Sequence, residues 1–142
     1  MRTTLSAPRP HVGAATPPGR ALVVEDDPVL AETLRDLLEE EGYAVAVHRN
    51  GHEALAALGD PPDLALVDLL LPGLNGVEVC RWLKTDPRTR QVPVIFITAA
   101  SPEFLAGWLD GCPCDAVLHK PFGLDALQET LARCQLRPGA ND

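Results

Sequence analysis

Residues 21–38 read Ala-Leu-Val-Val-Glu-Asp-Asp-Pro-Val-Leu-Ala-Glu-Thr-Leu-Arg-Asp-Leu-Leu. Four apolar residues, the length of a short buried strand, run straight into three carboxylates and a proline. Leu30, Leu34, Leu37 and Leu38 then recur at helical spacing. Asp27 caps that helix, and Pro28 takes its first position, where the backbone N–H would be unpaired anyway. The passage is a strand, a short acidic turn and a helix.

The same unit recurs along the chain. Further apolar runs stand at Tyr43–Val47, Leu64–Val67, Val92–Ile97 and Ala116–Leu118. Between them, Asn50 with Glu53 opens a helix through Leu58. Val79, Cys80 and Leu83 mark a third helix ending near Asp86-Pro87, and Ser101-Pro102-Glu103 starts a fourth. Gly107 weakens that fourth helix by about 1 kcal/mol relative to Ala. Leu124, Leu127, Leu131 and Cys134 line a fifth. Five alternations with short connections predict an α/β fold, a five-stranded parallel sheet with helices on both faces. In such sheets functional groups collect beyond the carboxyl ends of the strands.

Length and charge narrow the class. The chain has 142 residues, 46% hydrophobic and 23% charged, with a net charge of −8. One globular unit is expected over 20–136, followed by a short tail at 137–142. Residues 1–19 contain Pro8, Pro10, Pro17 and Pro18 and read as a disordered leader. The acidic balance argues against a nucleic-acid surface, because phosphate contacts need clustered Lys and Arg. No run reaches the 18 or so apolar residues of a membrane helix, and no secretory signal is present, so the cytoplasm is expected.

Chemistry-bearing residues follow the apolar runs. Glu25, Asp26 and Asp27 follow the first, Asp68 the third, Thr98 the fourth, and Lys120 with Pro121 the fifth. Carboxylates gathered at one edge raise one another's pKa unless a cation neutralises them. Few carboxylates with several waters suit Mg²⁺, which also bridges to phosphoryl oxygens. A lysine and a hydroxyl opposite them would help stabilise a phosphoryl group on a carboxylate nucleophile.

These fragments resemble the receiver domain of bacterial two-component response regulators, of the chemotaxis-regulator type. The matching text is Leu22-Val-Val-Glu-Asp-Asp-Pro28, Asp63-Leu-Ala-Leu-Val-Asp68-Leu-Leu-Leu-Pro-Gly-Leu-Asn-Gly76, Pro93-Val-Ile-Phe-Ile-Thr-Ala99 and His119-Lys-Pro-Phe122. The resemblance covers about residues 20–136, with the family's usual intervals of 30 from Asp68 to Thr98 and 22 from Thr98 to Lys120. It implies a flavodoxin-like (βα)5 fold with strand order 2-1-3-4-5. It implies that Asp68 takes a phosphoryl group from a phosphohistidine on a sensor histidine kinase or phosphotransfer protein. Glu25 and Asp26 resemble the acidic pair that holds Mg²⁺, with Asp26 the closer ligand, Asp68 sharing the ion and the backbone carbonyl of Leu70 completing the set. Thr98 resembles the switch hydroxyl, and Lys120 the lysine that pairs with Asp68. Pro121 would follow a cis peptide bond.

Two features depart from the family: Val117, and Gly111-Cys-Pro-Cys-Asp115 where the family often reads Gly-Ala-Asp. Val117 stands where Tyr or Phe is usual, so coupling to the output face cannot use an aromatic rotamer. Leu70 and Ala100 flank the path of a water attacking the acyl phosphate, and neither can hydrogen-bond it; the expected result is slow self-dephosphorylation. Asp27 is assigned to the helix cap rather than to the metal. Cys112-Pro-Cys114 has no second pair at a zinc-type spacing and reads as small apolar packing.

The expected function is a stand-alone receiver switching a protein–protein contact, a phosphoacceptor with self-catalysed transfer and loss of phosphate rather than an enzyme. One alternative is a receiver fragment of a hybrid kinase or longer regulator. Another is a Mg²⁺ phosphohydrolase with an aspartyl nucleophile. Enzymes of that type usually carry a second Asp two residues after the nucleophile, where this chain has Leu70.

Overall fold

The computed structural model describes residues 19–71, 73–112 and 114–135. The leader expected at 1–19 (but for Gly19) and the tail at 137–142 lie outside them. Ten elements alternate: β1 (Gly19–Val24), α1 (Pro28–Glu40), β2 (Tyr43–His48), α2 (Gly51–Ala56), β3 (Leu64–Asp68), α3 (Gly76–Thr85), β4 (Val94–Thr98), α4 (Pro102–Leu109), β5 (Ala116–His119) and α5 (Leu124–Gln135). The strands form one parallel sheet in the order β2-β1-β3-β4-β5. This is the expected architecture and strand order.

The two central strands explain why their sequences do not alternate. Every residue of β3 and of β4 is buried, because helices cover both faces of the sheet. Successive side chains feed two separate cores. Leu22, Val24, Ala65, Val67, Val94 and Phe96 pack with Val79, Cys80 and Leu83 of α3. Ala21, Val23, Leu64, Leu66, Ile95 and Ile97 pack with Leu34 and Leu38 of α1 and with Leu127, Leu131 and Cys134 of α5.

Helix starts are set by side-chain caps. Asp27 accepts from Val29 N at 3.0 Å, with Pro28 at the first helical position as expected. Ser101 Oγ accepts from Phe104 N, and α4 forms despite Gly107. The full reciprocal capping box is at α3, where Asn75 and Glu78 each bond the other's backbone N–H.

Several boundaries differ from the sequence reading. α2 stops at Ala56 rather than Leu58; Leu58 N turns to Leu55 O, and Pro61-Pro62 follow and cannot extend a helix. β4 begins at Val94 rather than Val92, because Val92 N closes a turn onto Thr89 O. Leu124 does not line α5 with its neighbours: it is 42% exposed, while Leu127, Leu131 and Cys134 are buried. Asp68 and Thr98 are the last residues of their strands instead of following them.

Candidate functional site

Three strand ends converge. The parallel register sets Asp68 beside Ile97, one residue before Thr98, and Thr98 beside His119, one residue before Lys120. Lys120 N donates to Thr98 O at 2.7 Å, which fixes where the lysine leaves β5. On the other side Glu25 N donates to His48 O at 3.0 Å, carrying the β1 end onward past the sheet. The Lys120–Pro121 peptide bond is cis, as expected.

The carboxylates meet there. Glu25, Asp26 and Asp68 each offer an oxygen, and these lie within 4.8 Å of one another. Glu25 and Asp68 are buried and Asp26 is exposed, so the cluster is open on one side. Lys120 Nζ stands 3.1 Å from Asp68 Oδ2 and 3.2 Å from Glu25 Oε1. Glu25 Oε2 accepts from Asp27 N at 3.0 Å, whereas Oε1 has no hydrogen bond and lies 3.2 Å from the Lys120 ammonium. Asp27 thereby serves the helix cap and, through its N–H, orients Glu25.

The electrostatics follow from that crowding. Burial, reinforced by the Asp68 charge, pushes the Glu25 carboxyl up to about 7 in spite of the Asp27 N–H and Lys120. For Lys120, burial lowers the pKa, but Asp68 and Glu25 outweigh it and the net shift is upward. One ammonium thus faces two buried carboxylates, and the donor set is all hard oxygen. That set fits a small divalent cation.

The adjacent turns are held by short hydrogen bonds. Leu70 N donates to Asp68 Oδ1 at 3.1 Å and Ala100 N donates to Thr98 Oγ at 3.0 Å. The Leu70 side chain is 47% exposed, beside the acidic cluster. Val117 is half-buried against the core cluster under α3 and α4. Of the residues expected at the site, Glu25, Asp26, Asp68 and Lys120 are brought together; Thr98 ends the neighbouring strand.

Gly76 was not singled out in the sequence, although it lies inside the matching text. Its N–H donates to Leu69 O at 2.9 Å, and a Cβ there would meet Asp68 O at 2.5 Å and Leu69 Cα at 2.8 Å. The first residue of α3 therefore presses on the strand end that carries Asp68. The legible signal was Asn75-Gly-Val-Glu78, a cap followed by glycine.

Known proteins are similar to this chain in sequence and fold. The response regulator DivK of Brucella anthropi, a polar-differentiation regulator, is 37% identical over 115 residues, 80% of this chain and 94% of its own. The DNA-binding response regulator MtrA of Mycolicibacterium smegmatis is 40% identical over 87% of this chain, which spans only 52% of MtrA. Among solved structures, the receiver domain of a signal transduction histidine kinase from Syntrophus aciditrophicus superposes with a TM-score of 0.72 at 39% identity, covering 82% of this chain and 89% of that one. The receiver domain of a sensor histidine kinase from Pseudomonas aeruginosa PAO1, with magnesium coordinated in its active site cleft, gives 0.74 at 29% identity, covering 82% and 96%. The family model of the response regulator receiver domain matches residues 21–132, from β1 into α5, and the chain belongs to that family of two-component signalling domains.

Proposed function

We propose that Asp68 is the phosphoacceptor, taking a phosphoryl group from a phosphohistidine on a sensor histidine kinase or phosphotransfer protein. The observation that carries this reading is the convergence of Asp68 with Lys120, Glu25 and Asp26 at the carboxyl ends of β3, β5 and β1. Asp68 Oδ2 is held by Lys120 and Oδ1 by Leu70 N, so the carboxylate is oriented before a donor arrives. An oxygen of Asp68 attacks phosphorus, and the histidine nitrogen leaves.

Glu25, Asp26 and Asp68, with the Leu70 carbonyl, would hold Mg²⁺. Bound there, the ion would neutralise charge on the phosphoryl oxygens. Lys120 then exchanges its Asp68 contact for a phosphoryl oxygen, and the Thr98 hydroxyl donates a hydrogen bond to another. Transfer and slow hydrolysis are properties of the domain itself, and the output is a changed protein–protein contact. The receiver unit is assigned to 20–136, with the cytoplasm as its compartment.

Incubation with acetyl phosphate and Mg²⁺ should place one acid-stable, base-labile phosphate on Asp68, absent from Asp68→Asn. Rapid turnover would instead favour a phosphohydrolase, and absence of label a scaffold.

A further inference from the structure

Three of the four cysteines gather on one face of the sheet, away from the acidic cluster. Cys80 is fully buried on α3. Cys112 and Cys114, in the connection from α4 to β5, are half-buried against the same apolar cluster. Cys112 neighbours both Cys80 and Cys114 in that packing. Cys134 belongs to the core on the opposite face.

The connection bearing Cys112 and Cys114 is anchored. Gly111, at φ +73°, reverses the chain, and Cys112 N donates back to Leu109 O at 2.9 Å. Asp115 N donates to Val94 O at 2.8 Å, and Asp115 Oδ2 accepts from Val94 N at 2.7 Å and from Lys84 Nζ at 2.9 Å. Lys84 lies one turn beyond Cys80 on the same side of α3. The helix and the connection are thus tied by an ion pair on the side of α3 that carries Cys80.

We propose that Cys80 and Cys112 form a reversible disulfide when the protein meets hydrogen peroxide, with Cys112 attacking first and Cys80 resolving. Cys112 has solvent access, whereas Cys80 has none. The Cys112 sulfur attacks one peroxide oxygen, the O–O bond breaks, and a sulfenic acid and one water result. The Cys80 sulfur then attacks the Cys112 sulfur. The S–O bond breaks, and the Cys80 proton leaves with the hydroxide as a second water. Two thiols lose two electrons and the peroxide gains two.

That difference in exposure assigns the order, and the surroundings of the other two thiols agree with it. Burial, with Cys112 alongside, pushes the Cys80 thiol up to about 12, while Lys84 draws it back. Burial likewise raises Cys114 to about 11. Both are poor initial nucleophiles, and Cys80 is useful only toward a sulfur already beside it. The bond would tie α3 to the segment entering β5, the strand that leads to Lys120. The inference is independent of the phosphoacceptor reading.

The test treats the reduced full chain with hydrogen peroxide, blocks remaining thiols with N-ethylmaleimide and maps peptides by tandem mass spectrometry. Two of the four thiols should disappear into one cross-link joining Cys80 to Cys112, reversed by dithiothreitol, with an unchanged circular dichroism spectrum. Cys112→Ser, at a half-buried site, should abolish the cross-link, and Cys134→Ser should leave it intact. A Cys112–Cys114 link in its place, equal oxidation of Cys134, or a cross-link formed only in urea would overturn the proposal.

Discussion

Gly76 and Asp68 are packed so closely that a Cβ on the glycine would lie 2.5 Å from the aspartate carbonyl oxygen. That oxygen is backbone, so it cannot swing aside as a side chain would. Gly76→Ala must displace either α3 or the end of β3. The expected cost is about 1–3 kcal/mol in urea unfolding, with slower acetyl phosphate labelling of Asp68. A variant as stable and as readily labelled as wild type would show that the contact relaxes freely.

Asp26 and Glu25 should differ as metal ligands. Asp26 is exposed at the open side of the cluster, whereas Glu25 is enclosed and engaged by Asp27 N and Lys120. Asp26→Asn should weaken Mg²⁺ binding more than Glu25→Gln, as read by tryptophan fluorescence or NMR titration. Equal losses would contradict the assignment of Asp26 as the closer ligand.

Glu25 also makes the metal-free fold pH-sensitive. Its carboxyl is raised from 4.5 to about 7, so between those values the folded chain keeps a proton that the unfolded chain has released. The stabilisation is complete below about pH 4.5 and is lost as pH rises to about 7. Relative to Glu25→Gln, wild type in EDTA should lose stability between about pH 4.5 and about pH 7 in urea melts. Mg²⁺ requires the carboxylate, so its apparent affinity should weaken below about pH 7. A wild type gaining on the variant across that range would reverse the sign and refute the account.

The side chains of Leu70 and Ala100 offer no group to orient or deprotonate a water near Asp68. Positioned general bases contribute about 10²–10⁴-fold where they exist. The Asp68 phosphate should therefore decay slowly once donor is removed, and Leu70→Asn should quicken its loss. Leu70 is half exposed, so the substitution leaves the core intact. Identical decay in both proteins would sink the idea.

Gly107 lies inside α4, and a Cβ there would meet nothing within 4 Å. Packing therefore does not require glycine, and Gly107→Ala should stabilise the fold by about 0.5–1 kcal/mol. Thermal unfolding without metal is the measurement; a lower midpoint would mean that α4 moves in a way the glycine serves.

The sequence by itself determined the alternation of strand and helix, because β3 and β4 are continuous apolar runs and the helices announce themselves through Asp27-Pro28, Asn50 and Ser101-Pro102. It also determined which polar residues stand at the strand ends, since Glu25, Asp68, Thr98 and Lys120 interrupt or follow those runs. Periodicity is a local property, and local patterns carry that much. Where each element stops depends on competition it does not record: Val92 closed a turn, and α2 lost its last residues ahead of Pro61-Pro62. Tertiary structure alone decided the rest. Only the parallel pairing of β1, β3, β4 and β5 in register brings Lys120 to both Glu25 and Asp68 across 95 and 52 positions of chain. Only the packing of α3 on the sheet seats Gly76 against Asp68 and Cys80 beside Cys112. Such contacts depend on distance and burial between segments far apart in the chain, which no local spacing encodes.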